Sequence, residues 1–369
     1  MTRRNGARAG RRESSGPART RTGPTGHRQG RSLSTMSVDT NKTVVVFGGS
    51  GFVGRYLVQA LARRGHRIRV ACRRPDLAYH LQPNGNMGQI MPIQANLRYP
   101  WSVERAVEGA DHVVNLVGIL AQSGQQSFDA LQSFGARTVA EATAKIGAGM
   151  TQISAIGADE NSGSEYARTK AEGEKAVLDA IPGAYIMRPS IVFGAEDQFF
   201  NRFADMARFS PFLPLIGGGK TRFQPVYVGD VAEAIADTVD GKVPGGRVYE
   251  LGGPEVLTFR QMMEEMLRII ERKRSFVTIP FGAAASMAKL MRFLPGAPLT
   301  PDQVTQLQTD NVVSQDAIED GRTLEAFGIR PRTVDAILPT YLVRFRKHGQ
   351  FTHPQPQAGG VRMPDDEAV

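Results

Sequence analysis

The sequence holds one cysteine, Cys72, and one tryptophan, Trp101, in 369 residues. A single thiol excludes an intrachain disulfide and a cysteine-built zinc cluster, and it fits a reducing compartment. Long apolar runs are also missing. The best candidate, residues 281–294, is short and broken by Lys289 and Arg292, so no membrane-spanning helix is expected. Acids are scarce at the amino end, where residues 1–35 carry nine Arg against the single acid Glu13. That arm therefore accounts for +8 of the net charge of +9 and leaves the remainder near neutrality. The folded part lacks the basic footprint that DNA or RNA binding requires, so no nucleic-acid partner is expected.

Leu33 is the only large apolar residue of that arm beyond Met1, so the segment cannot bury enough surface to fold. One reading is an organelle-targeting presequence, although six Gly and two Pro work against an amphipathic helix there. The preferred reading is an extension ahead of a true start at Met36. Beyond it, 41% hydrophobic and 22% charged residues are the proportions of a globular protein with room for one large domain or two intimate lobes.

From Thr43 the pattern becomes regular. Apolar strands are expected at 43–47, 67–72, 90–94, 112–117, 150–154 and 184–188, alternating with helices at 52–64, 103–108, 128–145 and 165–180. Gly65 stands in the helix-stopping position after the first of these helices. Such alternation implies an α/β fold with a doubly wound parallel sheet. After Pro189 it loosens. Pro211, Pro214 and the Gly217-Gly218-Gly219 run mark an irregular stretch, followed by a strand at 224–228 and a helix from Asp230. The expected division is a basic extension (1–40), a nucleotide-binding domain (41–252), a smaller, mostly helical lobe (253–348) to which 193–225 contribute, and a disordered tail (349–369).

The most informative segment is Phe47-Gly48-Gly49-Ser50-Gly51-Phe52-Val53-Gly54, set between the first strand and the first helix. Glycine there permits the tight bend, lets backbone approach a pyrophosphate and lets helix pack on strand, while the exposed amides and the positive helix end receive the anion. Where NAD-preferring folds carry an acid at the end of the second strand, this chain has Arg73 and Arg74. Two guanidinium groups suit a 2′-phosphate, so NADP(H) is the expected cofactor, with NAD(H) the other possibility. The neighbouring Cys72 reads as a small buried residue closing the strand.

Tyr166 and Lys170, in Tyr166-Ala167-Arg168-Thr169-Lys170, lie one helical turn apart on one face. A tyrosine hydroxyl can exchange the proton that accompanies hydride transfer when a nearby ammonium lowers its pKa, and Lys170 can also hold a ribose. A third hydroxyl normally orients the substrate carbonyl. Ser154 is the candidate, but in related sequences the position can fall one residue later, where this chain has Ala155.

Together these residues resemble the extended and atypical short-chain dehydrogenase/reductases from about Thr43 through Gly253. Arg188-Pro189-Ser190-Ile191-Val192-Phe193-Gly194, Glu196-Asp197-Gln198-Phe199-Phe200-Asn201-Arg202-Phe203, Gln224-Pro225-Val226-Tyr227-Val228-Gly229-Asp230-Val231 and Leu299-Thr300-Pro301-Asp302-Gln303-Val304 are similar to a narrower group. That group comprises the nucleotide-binding accessory subunits of respiratory complex I and their bacterial relatives. The resemblance implies a Rossmann sheet and bound NADPH used structurally where the peripheral and membrane arms meet, without established turnover. It also implies cofactor contacts from Gly48, Ser50, Gly51, Phe52, Val53, Gly54, Arg73, Arg74, Asn96, Leu97, Val117, Gly118, Tyr166, Lys170, Pro189 and Ser190. Asn96 stands where many relatives have an Asp bonding adenine. Partners within complex I follow from the same resemblance. So does a location in the cytoplasm or on the cytoplasmic face of the bacterial inner membrane, or else on the matrix side of the mitochondrial one, with peripheral membrane association. The alternative is an NADP-dependent reductase, epimerase or dehydratase working through Tyr166 and Lys170.

Two further stretches carry open readings. Glu196, Asp197 and Asn201 read as organisers of a loop rather than a catalytic acidic pair, because no His or metal cluster accompanies them. The run Tyr341-Leu342-Val343-Arg344-Phe345-Arg346-Lys347 fits either a membrane or partner contact or a terminal helix packed on its own domain.

Overall fold

The computed structural model describes residues 41–119, 122, 127–291 and 299–347, so the expectations for 1–40 and 349–369 lie outside the described residues. β1 (Thr43–Phe47) is a continuous apolar run whose valines are fully buried, as a strand covered on both faces must be. α1 (Phe52–Arg63) buries Leu57, Val58 and Leu61 and stops at Gly65, which adopts φ 85° and donates its amide to the Ala62 carbonyl at 3.1 Å. Then follow β2 (Arg67–Cys72), β3 (Ile90–Gln94) and α2 (Pro100–Val107), whose first residue is the proline that suits a helix start. β4 (His112–Asn115), α3 (Phe134–Lys145), β5 (Gly149–Ile153), α4 (Glu165–Ala180) and β6 (Tyr185–Pro189) continue the alternation.

Beyond β6 come β7 (Val192–Phe193), α5 (Phe200–Phe209), β8 (Phe212–Ile216), β9 (Arg222–Phe223), β10 (Val226–Tyr227), α6 (Val228–Val239) and β11 (Arg247–Leu251). The described chain finishes with β12 (Leu257–Thr258), α7 (Phe259–Ile269), β13 (Ser275–Ile279), α8 (Phe281–Met291), α9 (Pro301–Gln306), α10 (Gln315–Glu319) and α11 (Val334–Leu342). A seven-stranded sheet runs in the order β11-β6-β5-β4-β1-β2-β3, with every pairing parallel. This is a doubly wound Rossmann sheet, and its order reverses between β1 and β4, where such sheets bind ligands.

One face of the sheet packs on α1 and α6 through Leu57, Leu61, Val231 and Ile235. The other packs on α2, α3 and α4 through Val103, Val139 and Val177. A separate apolar core joins Phe200 of α5, Leu213 of β8, Met262 and Met266 of α7, and Leu338 and Leu342 of α11. β8 lies in the stretch that Pro211 and Pro214 marked as irregular, yet it pairs with β13, with Pro214 opposite Val277. Proline is tolerated because this two-stranded sheet leaves β8 an unpaired edge. No helix among the described residues is long and apolar enough to cross a membrane.

Candidate functional site

The glycine turn sits at the switch point. Gly48 adopts φ 78°, and a Cβ there would press on the backbone of Leu116 and Val117 at 3.3 Å, so the turn abuts the end of β4. The Gly51 amide donates to the Gly48 carbonyl at 3.0 Å and closes the bend. A Cβ on Gly54 would lie 2.5 Å from Gly49 Cα, so the first turn of α1 rests directly on the bend and tolerates no side chain at that contact. Gly51 caps α1 without a side-chain bond, and the first turn carries no acid. The amides of Phe52 and Val53 thus open the helix with no acid in its first turn. Ser50, Phe52 and Val53 are half-buried around them. This cradle of glycines, with the Phe52 and Val53 amides making no hydrogen bond to a described residue, fits a diphosphate.

The neighbouring strand ends surround the turn. The Asn96 carboxamide accepts the Arg98 amide at 3.2 Å, which fixes the bend after β3, and Leu97 is buried beneath it. The Val117 amide donates to Asn115 at 3.1 Å. Arg73 is exposed and makes no hydrogen bond to a described residue, whereas Arg74 pairs with Asp76 at 2.7 Å. A carboxylate therefore does stand near the end of β2, two residues past the point where the sequence pattern looks for one, and it engages one of the two guanidinium groups.

Tyr166 and Lys170 face the same site from α4. Lys170 Nζ donates to the Ile153 carbonyl at 3.3 Å, and a Cβ on Gly118 would come within 3.1 Å of that nitrogen, which ties together the ends of β4, β5 and α4. Nζ lies 5.9 Å from the Tyr166 ring centroid. Burial pushes the Lys170 ammonium down to about 8, opposed by Glu174. The Tyr166 phenol is pushed up to about 12 by burial, with the Asp302 carboxylate adding to the rise. Lys170 therefore does not bring the phenol below its ordinary value in the protein alone, where desolvation of the phenolate dominates. Ser154, immediately before Ala155, is buried, and its hydroxyl has no partner among the described residues. An unsatisfied buried hydroxyl is costly and suits a place where a ligand group arrives.

Pro189 ends β6, and its carbonyl accepts the Ile156 amide at 3.0 Å. Ser190, the next residue, is buried. Its hydroxyl donates to the Asn311 side chain at 2.7 Å, and the Asn311 amide group donates to the Ile156 carbonyl at 3.1 Å. Glu196 binds Arg55 at 3.1 Å and Tyr56 at 2.9 Å, drawing the loop after β7 across α1. Asp197 accepts the amides of Gly194 and Asn201 at 3.2 Å and the Tyr341 hydroxyl at 2.5 Å. Arg344 reaches Asn201 at 2.7 Å, while Tyr341, Leu342 and Phe345 are buried in the second core, so the aromatic terminal run packs on its own protein. Sequence reasoning missed Asn311 altogether, because nothing local marks a residue whose partners lie over a hundred positions away.

Sheet, switch-point turn and lysine-bearing helix define a Rossmann protein shaped for a dinucleotide. Residues 44–252 match the model of the NAD dependent epimerase/dehydratase family, and the chain belongs to that family. It is 35% identical over 337 residues to the Arabidopsis thaliana mitochondrial protein named NADH dehydrogenase (ubiquinone) 1 alpha subcomplex subunit 9, covering 88% of this chain and 83% of that one. It is 29% identical to the mitochondrial NADH-ubiquinone oxidoreductase 40 kDa subunit of Neurospora crassa, covering 89% and 85%. Its fold is similar to that of the Escherichia coli NADPH-dependent quinone oxidoreductase QOR2, solved with NADPH, at a TM-score of 0.63 and 19% identity over 82% of this chain and 99% of that one.

Proposed function

We propose that this protein holds NADP(H) as a structural accessory or assembly subunit of an NADH:ubiquinone oxidoreductase, with little or no turnover of its own. The observation that carries the proposal is that similarity to two oxidoreductase subunits extends over nearly nine tenths of the chain, well past the nucleotide-binding core. A raised phenol at Tyr166 and an alanine at position 155 agree with weak catalysis. Gly48, Gly51 and Gly54 would hold the diphosphate, Arg73 the 2′-phosphate, Asn96 and Leu97 the adenine, and Lys170 a ribose. A bound dinucleotide would supply hydride chemistry, and this chain's residues would bind and orient it. The proposed location is peripheral, on the matrix side of the mitochondrial inner membrane or the equivalent cytoplasmic face in a bacterium.

Gentle detergent extraction from the native cell, followed by affinity capture, tests the proposal. Other oxidoreductase subunits and NADPH should accompany the chain. Recovery of the protein alone at every stage of growth contradicts it. The unpartnered Ser154 hydroxyl favours a second reading, a reductase of small carbonyl substrates using Tyr166 and Lys170. On that reading Tyr166→Phe abolishes turnover and spares cofactor affinity.

A further inference from the structure

Three bonds converge on Asp302. Its carboxylate accepts the Ser164 hydroxyl at 2.9 Å, the Glu165 backbone amide at 2.8 Å and the Gln306 side-chain amide at 2.8 Å. Ser164 is itself the N-cap of α4, accepting the Ala167 amide at 3.2 Å. Asp302 therefore satisfies one open amide of α4, orients the serine that satisfies another and sets a negative charge at the positive helix end. Its own position is firm. α9 opens with Thr300 and Gln303 in a reciprocal capping box and with Pro301 in the first turn.

We propose that Asp302 is a positioning residue for the dinucleotide site: a carboxylate from the C-terminal region fixes the first turn of α4 and with it the place of Tyr166, one residue beyond Glu165. The proposal deepens the cofactor-holding function above and rests on it for the ligand. A distant segment thereby governs the order of the Tyr166–Lys170 face. Lys170 of α4 lies 5.9 Å from the Tyr166 ring and the Asp302 charge of α9 acts on the phenol, while the Phe128 ring packs edge-on at 5.8 Å. The Asp302 charge also adds to the rise that burial causes in the phenol's pKa.

The test uses full-length protein carrying Asp302→Asn or Asp302→Ala, read by amide hydrogen exchange without ligand, NADPH binding, and the phenolate absorbance of Tyr166 taken as a difference against Tyr166→Phe. Asparagine keeps one of the two acceptor oxygens and removes the charge, so exchange and NADPH affinity should change less than in Asp302→Ala while the phenol ionises at lower pH. Alanine should speed exchange of the Glu165 to Ala167 amides by about fivefold, the usual effect of a lost cap, and weaken NADPH several-fold. Wild-type exchange in Asp302→Ala overturns the proposal, as does an unmoved phenol titration in Asp302→Asn. If Asp302→Ala fails to fold, Ser164→Ala gives the same exchange readout at one partner. Should wild-type protein bind no NADPH, the cofactor-holding function fails, whereas the exchange result still judges Asp302.

Discussion

Lys170 Nζ donates to the Ile153 carbonyl at 3.3 Å, so the ammonium of α4 is docked on the end of β5 beside the glycine turn. Burial holds this group down to about 8 in the protein alone. A bound dinucleotide with its phosphates favours the charged form, which means the bound state keeps its proton to higher pH. NADPH affinity should then be level below pH 8 and fall above it, by at most about tenfold per unit. Lys170→Met should bind more weakly, with that dependence gone. Titrations across this range check both statements, and identical pH profiles in the two proteins would count against an ammonium contact.

Gly54 leaves no room for a methyl group against the Gly49 backbone. Gly54→Ala must part helix from turn, at a cost of roughly 1–3 kcal/mol, and should weaken NADPH by about ten- to hundredfold. Gly282→Ala is the control, since a Cβ there meets nothing within 4 Å. Chemical denaturation and fluorescence titration of both variants decide whether the loss is specific to the turn.

Arg73 and Arg74 differ in their surroundings, because Asp76 already engages Arg74. Arg73→Asp should therefore move the preference from NADPH toward NADH by tenfold or more, while Arg74→Asp moves it less. Unchanged relative affinities in Arg73→Asp would show that the 2′-phosphate is read elsewhere.

The Tyr341 hydroxyl bonds the buried Asp197 at 2.5 Å, which fastens α11 to the loop after β7. Desolvation pushes that carboxyl above its usual range, and the phenol together with the backbone amides offsets only part of the rise. Tyr341→Phe should cost about 1–3 kcal/mol in denaturant unfolding and speed hydrogen exchange across residues 194–201. A variant as stable as the wild type would show that the bond carries no net stabilisation.

Local pattern was enough for the nucleotide-binding half. The valines of β1, the glycines after it and the spacing of Leu57, Val58 and Leu61 each depend on neighbours in sequence, and the strands and helices from Thr43 to Ala180 stand close to where alternation puts them. Pro211 and Pro214 misled because proline is penalised by the number of paired edges, which a sequence does not display. β11 was missed because Arg247 and Glu250 interrupt its apolar pattern, although Glu250 is buried beside Arg188 at 3.7 Å. At the site, the residue types were readable and their partners were not. Asp302 on Ser164, Asn311 on Ser190 and Asp76 on Arg74 are pairings made by tertiary packing, and the raised phenol of Tyr166 follows from burial that no motif records.

Calorimetric titration of NADPH into the folded full-length chain measures most directly whether the amides opening α1 grip a diphosphate. One equivalent should bind with measurable heat, and Gly54→Ala should lose most of it. Absence of heat with both NADPH and NADH, from protein whose circular dichroism is that of an intact α/β fold, would contradict the account.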